Sequence, residues 1–174
     1  MSARVEFEQW VAFPLEPVFL FFANPENLPR IMPPESRTRI ERLSLVAPVR
    51  PGEPGTVPNG PRLAGVGSEI VTSFRVRPPL PFRAQWIARI TEFEWHRYFA
   101  DIQEKGPFRS WHHRHEFGPE MRNGIAGTMV RDRIEYSIGP GVLGDMAEKL
   151  WVGRQLRRTF AQRQKTLPAL LSGI

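Results

Sequence analysis

Apolar and polar residues alternate in several segments of this chain, and the C-terminal stretch changes to a long helical period. Residues 5–11 (VEFEQWV) read as a strand, with Val5, Phe7, Gln9 and Val11 on one face. Pro14 breaks it. Residues 15–22 are a short apolar helix that tolerates Pro17 in its first turn. Asn24 reads as the N-cap of a second short helix with Pro25 at its first position, ended by Pro33-Pro34. Strands follow at 37–45 and 68–77, separated by a proline- and glycine-rich surface loop at 46–61. Pro78, Pro79 and Pro81 turn the chain into a long strand, 82–95, with Phe82, Ala84, Trp86, Ala88 and Ile90 on one face. A hairpin of 97–104 and 109–117 turns at Lys105-Gly106-Pro107. The last strand, 125–138, aligns Thr128, Val130, Asp132, Ile134 and Tyr136. After Gly139-Pro140-Gly141 an amphipathic helix spans 143–171. Its apolar stripe is Ala147, Leu150, Leu156, Phe160, Leu167 and Leu171, with Trp151 at its flank and the arginines on the solvated side. The predicted fold is α+β: a curved seven-stranded antiparallel sheet around one long C-terminal helix, with two short helices after strand 1.

At 174 residues the chain is expected to form one domain over 1–174. No apolar run approaches the roughly 18–20 residues of a membrane span, and MSARVEFEQW does not read as a signal peptide. The absence of cysteine removes disulfides, thiolate nucleophiles and thiolate metal sites. A cytoplasmic protein is expected. The net charge of +6 comes mostly from arginine and is dispersed. Its densest cluster, Arg154, Arg157, Arg158 and Arg163, reads as the solvated face of the helix. No recognition motif accompanies it, so no nucleic-acid partner is expected.

The segments PLEPVFLFFANPENLPRIMPP, FEWHRYFADIQEKGPFRSWHHRHEF and GTMVRDRIEYSIGPG resemble the START/Bet v 1-like superfamily, the SRPBCC or polyketide cyclase/dehydrase proteins. The middle segment is similar to the F-x-D-x-Q, G-P-F, W-x-H-x-H-x-F signature of a bacterial ligand-binding branch. Phe99, Asp101, Gln103, Gly106, Pro107, Phe108, Trp111, His113, His115 and Phe117 match it. The resemblance implies a helix-grip fold enclosing a cavity for apolar small molecules. The 46–61 loop is longer than the family pattern and could reshape the entrance. The superfamily covers carriers, receptors, cyclases and co-chaperones, so function has to be argued from the site.

Strand parity puts Asp101, His113, His115 and Asp132 on one concave face, with Trp86 and Phe82 from the neighbouring strand. Buried carboxylates need partners, and the imidazoles are the available ones, in an order that parity leaves open. Four readings stand: a satisfied structural network; placement of the polar end of an apolar ligand; catalysis; and a His-x-His metal site. Catalysis would use His113 or His115 as general base, oriented by Asp101 or Asp132, for aldol cyclisation or dehydration. Metal is not expected, because His-x-His spacing is common by chance, and no cofactor is expected. The candidate ligand-binding residues are Phe22, Trp86, Phe99, Gln103, Trp111, His113, Phe117 and Tyr136. The leading expectation is binding of a lipid, polyketide or isoprenoid-like molecule. A cyclase or dehydratase and an accessory interaction domain are the alternatives. His96 and His112 fall out of phase and are expected to face solvent. Ser110, Thr128 and Ser137 lack a base. Parity does not address oligomeric state.

Overall fold

The computed structural model describes residues 2–50, 62–75, 82–138 and 152–173. Alternation is realised as seven strands: β1 (Ala3–Val11), β2 (Arg39–Ser44), β3 (Glu69–Arg75), β4 (Arg83–Glu94), β5 (Tyr98–Lys105), β6 (Ser110–Arg122) and β7 (Ile125–Ser137). Two short helices, α1 (Leu15–Ala23) and α2 (Leu28–Ile31), follow β1, and α3 (Gly153–Leu171) closes the chain. All strand pairs are antiparallel, in the order β1-β7-β6-β5-β4-β3-β2. The helical excursion carries the chain from one sheet edge to the other, and a meander brings it back. Register shifts at Ile40/Arg42, Ile87/Ala88 and Ile90/Glu92 bend the sheet, as bulges do.

The predicted punctuation is visible in the bonds. Asn24 Oδ1 accepts the Glu26 N–H at 3.0 Å, capping a single 3-10 turn before α2. The Gln103 amide folds over the β5–β6 turn. Its Nε2 donates to the Phe108 carbonyl at 2.7 Å and its Oε1 accepts the Phe108 N–H at 3.2 Å. A Cβ on Gly106 would lie 2.3 Å from Gln103 Oε1, so this fold-over requires glycine. The Gln-x-x-Gly-Pro-Phe spacing is therefore a turn staple.

Three expectations are corrected. β6 does not stop at Phe117; it runs to Arg122 and joins β7 through Asn123 (φ 50°) and Gly124 (φ 77°), the left-handed pair of a two-residue hairpin. Phe82 does not join the concave face. It precedes the first paired residue of β4 and is 67% exposed. Arg163 is not on a solvated face; it is 5% exposed. Its helical phase explains this, because Phe160, Arg163, Leu167 and Leu171 fall on one side of α3. The expected helix start at 143–151, residues 51–61, Pro78–Pro81 and the Gly139-Pro140-Gly141 break lie outside the described residues.

α3 contains Pro168, which has no N–H for the Gln164 carbonyl one turn before it. β1 supplies the missing donor: Gln9 Nε2 reaches Gln164 O at 2.8 Å, and Gln164 Nε2 donates to Glu8 O at 2.9 Å. This glutamine exchange clamps the helix to the sheet edge. Apolar contact continues it on both sides. Phe7 stacks on Phe160 with centroids 4.0 Å apart, and Leu167 and Leu171 enter a core with Val11, Phe19, Phe99, Phe117 and Val130. A second, smaller cluster holds Ile134, Tyr136, Val152 and Phe160. The polar site lies between the two clusters. The opposite sheet face carries cross-strand ion pairs such as Arg114–Glu92 (2.7 Å), Arg133–Glu116 (2.7 Å) and Arg131–Glu8 (2.6 Å). The arginine charge on that face is thus largely matched. Among the described residues no helix is long and apolar enough to cross a membrane.

Candidate functional site

Strand register assembles the site. His113 on β6 lies opposite Asp101 on β5 and Ile134 on β7, while His115 lies opposite Phe99 and Asp132. The two carboxylates therefore flank the two imidazoles diagonally. Asp132 is fully buried, whereas the side chains of His113 and His115 are 12% exposed and that of Asp101 is 15% exposed.

Asp132 is the anchor. Arg163 reaches down from α3 and grips it through both terminal nitrogens, Nη1 at 3.0 Å from Oδ1 and Nη2 against Oδ2. The guanidinium lies over the rings of Phe160 (4.3 Å) and Phe22 (5.2 Å). Burial pulls the Arg163 guanidinium down to about 9, which leaves it cationic at neutral pH. His113 Nε2 bonds Asp132 Oδ1 at 3.0 Å. His115 Nδ1 is 2.8 Å from the same oxygen, but bent away from hydrogen-bond alignment. The carboxylate is an acceptor only, so His113 presents its Nε2 hydrogen to Asp132. Burial holds both imidazoles below their ordinary range. For His113 the neighbouring His115 adds to the lowering, and for both rings Asp101 opposes it. The neutral form of each ring is thereby favoured, and a neutral His113 with its hydrogen on Nε2 leaves Nδ1 unprotonated. His113 Nδ1 and His115 Nε2 face Asp101 Oδ2 at 3.8 Å each.

The site opens into a cavity of about 800 Å³ between the sheet, α1 and α3. Phe22, Trp86, Phe99, Asp101, Trp111, His113 and His115 line it, and so does Arg163. One wall is aromatic: Trp111 packs edge-on to Trp86 at 5.0 Å and against Phe108 at 5.0 Å. The Trp111 indole N–H is buried with no protein acceptor.

Three of the residues read from the sequence as ligand-binding stand behind that lining. Gln103 is engaged in the turn staple. Phe117 is 7% exposed and packs between Phe19 and Phe99. Tyr136 is 2% exposed, beneath Phe108 and Trp111. Asp132 also lies below the cavity floor. His112 is on the outer face with Glu92 at 3.3 Å, as its parity required. His96 sits in the β4–β5 turn at φ 58°, half-buried edge-on against Phe19. Ser110 and Ser137 bond each other at 2.6 Å. Arg154, Arg157 and Arg158 remain exposed, with Arg158 paired to Glu35 at 2.7 Å.

Arg163 is the residue that the sequence reading missed. Its phase with Phe160 and Leu167, and the need of Asp132 for a cation, were the available signals.

No protein-family model matches the sequence, and no curated protein matches it either. Solved structures do. TTHA0849 from Thermus thermophilus is 18% identical, with 98% of each chain covered and a TM-score of 0.64. A START superfamily protein from Mycobacterium smegmatis is 16% identical over 98% of this chain and 97% of its own, with a TM-score of 0.61. Norcoclaurine synthase from Thalictrum flavum is 14% identical, covering 96% of this chain and 87% of its own, with a TM-score of 0.58. At such identities the likeness concerns architecture, and the order of strands and helices agrees with it: the chain has the helix-grip fold of START and Bet v 1-like structures.

Proposed function

We propose that the protein binds an apolar small molecule bearing one polar end, of lipid, polyketide or isoprenoid type, in the cavity between sheet and α3. The observation that carries this reading is the pairing of an aromatic wall with a compact polar floor inside one space of about 800 Å³. Small-molecule sites span roughly 300–1,000 Å³ and combine apolar walls with a few convergent polar groups. Trp86, Phe108 and Trp111 would hold the apolar body. His113, His115 and Asp101 would accept from a ligand hydroxyl, and the Trp111 indole N–H would donate to a ligand oxygen. A fully satisfied structural network needs none of these open valences, and Asp132 with Arg163 already supplies the structural part.

Native mass spectrometry of the protein incubated with a lipid extract tests the reading. A retained adduct, lost in Trp86→Arg, is expected. No adduct in either protein would remove it.

A second reading rests on one specific feature. A neutral imidazole held by Asp132, with its other nitrogen unprotonated, is the arrangement of an oriented general base. His113 or His115 would then remove a proton beside a ligand carbonyl, as in cyclisation or dehydration. Wild-type protein that binds a β-polyketone analogue yet exchanges none of its α-protons faster than buffer counts against this second reading.

A further inference from the structure

Three atoms able to ligate a metal converge where the cavity meets the sheet. Asp101 Oδ2 lies 3.8 Å from His113 Nδ1 and 3.8 Å from His115 Nε2. The ligand atoms of the three residues all fall within 4.8 Å of one another. Both rings turn their other nitrogen to Asp132, at 3.0 and 2.8 Å. That leaves the second nitrogen of each ring on the Asp101 side, where it can offer a lone pair to a metal ion.

Charge matching leads to the same point. The Asp132 carboxylate is balanced by Arg163. Asp101 has no Lys or Arg partner among the described residues, and its side chain is only 15% exposed.

We infer that Asp101, His113 and His115 form a binding site for one divalent cation of zinc type. Two imidazole nitrogens and one carboxylate oxygen are a donor set suited to zinc, with a fourth position left open. Here that position faces the cavity. Ligand bonds of about 2.0–2.1 Å place tetrahedral ligand atoms roughly 3.3 Å apart. The two 3.8 Å edges to Asp101 need about half an ångström of movement, and the edge between the two imidazole nitrogens lies within 4.8 Å. Asp132 is the positioning residue. A carboxylate behind a metal-bound imidazole fixes its tautomer and raises its basicity, and one carboxylate serves both rings here. The charge of Arg163, which is felt by both imidazoles, is offset by its ion pair with Asp132.

This site goes beyond the proposed function, and it excludes the second reading while occupied, since the ion takes the lone pairs that a general base would use. Metal uptake is measured without organic ligand, and ligand binding is measured on chelator-stripped protein, so either can fail alone.

The test is titration of chelator-stripped full-length protein with Zn²⁺ by calorimetry and with Co²⁺ by visible absorption. One equivalent is expected, with the intense d–d bands of four- or five-coordinate cobalt. Asp101→Asn and His115→Gln should each weaken binding at least about 100-fold, and Asp132→Asn by about 10–100-fold. His112→Gln, on the outer face, should leave it unchanged. Zinc should also move the ¹⁵N resonances of His113 Nδ1 and His115 Nε2 in the wild type, a readout that needs no variant to fold. Absence of uptake, uptake unaffected by Asp101→Asn, or zinc that leaves both nitrogens unmoved would each overturn the assignment.

Discussion

Arg163→Met takes away the guanidinium that neutralises Asp132 while keeping an apolar side chain over Phe22 and Phe160. Asp132 is fully buried and loses two of its donors, so it keeps only the imidazoles. Removing one partner of a buried ion pair costs about 3–5 kcal/mol, because a charge is left without compensation. The retained stem and sulfur contacts limit the packing loss. For a denaturant slope of about 2–3 kcal/mol per molar urea, the midpoint should fall by roughly 1–2 M. The deficit has a pH signature. At pH 6 an imidazole beside Asp132 can take up the missing positive charge, so the loss should be smaller there than at pH 8. Urea unfolding followed by tryptophan emission and far-UV circular dichroism measures both. Arg163→Met with Asp132→Leu should recover much of the loss, since apolar replacement of both partners is often close to neutral. A loss below about 1 kcal/mol that is independent of pH, within the range of ordinary surface changes, would refute the anchor argument.

Gln9→Leu should cost about 1–2 kcal/mol by orphaning the Gln164 carbonyl that Pro168 leaves open, and hydrogen exchange should rise in the C-terminal half of α3. Gly106→Ala should eject the Gln103 amide and cost about 1–2 kcal/mol for its two bonds to Phe108, read as a changed Phe108 amide resonance. Chelator-stripped protein should lose stability as the pH falls below 6.5. The folded imidazoles sit below that value, so the unfolded chain binds protons first and stability drops until the folded rings titrate as well. Thermal melts between pH 8 and pH 5 check this, with the slope expected to flatten in His113→Phe.

Much of this arrangement was legible in period-two alternation. A side chain's face on a strand follows from parity alone, so Asp101, His113, His115 and Asp132 could be placed together before any coordinates. Depth could not. Parity does not say which inward residues a helix covers, so Phe117 and Tyr136 read like Trp86 yet lie beneath the lining. Parity also counts Phe82 inward, although it precedes the first ladder bond of β4. Asn123-Gly124 is itself a two-residue hairpin signal, and it is what carries β6 on to Arg122. Charge alone assigns Arg163 to solvent, although its place on the α3 stripe puts it beside Phe160 and Leu167. A buried carboxylate without a matched cation is the stronger rule, and Asp132 required one.

What fills the cavity is measured by isotope-filtered NMR of the ¹⁵N,¹³C-labelled protein with an unlabelled twelve-carbon alcohol. NOEs are expected from the chain methylenes to Trp86, Phe108 and Trp111, and from the carbinol end to the His113 and His115 rings. A saturated sample showing contacts only to the exposed sheet face, or none to these five residues, would rule out ligand binding in the cavity.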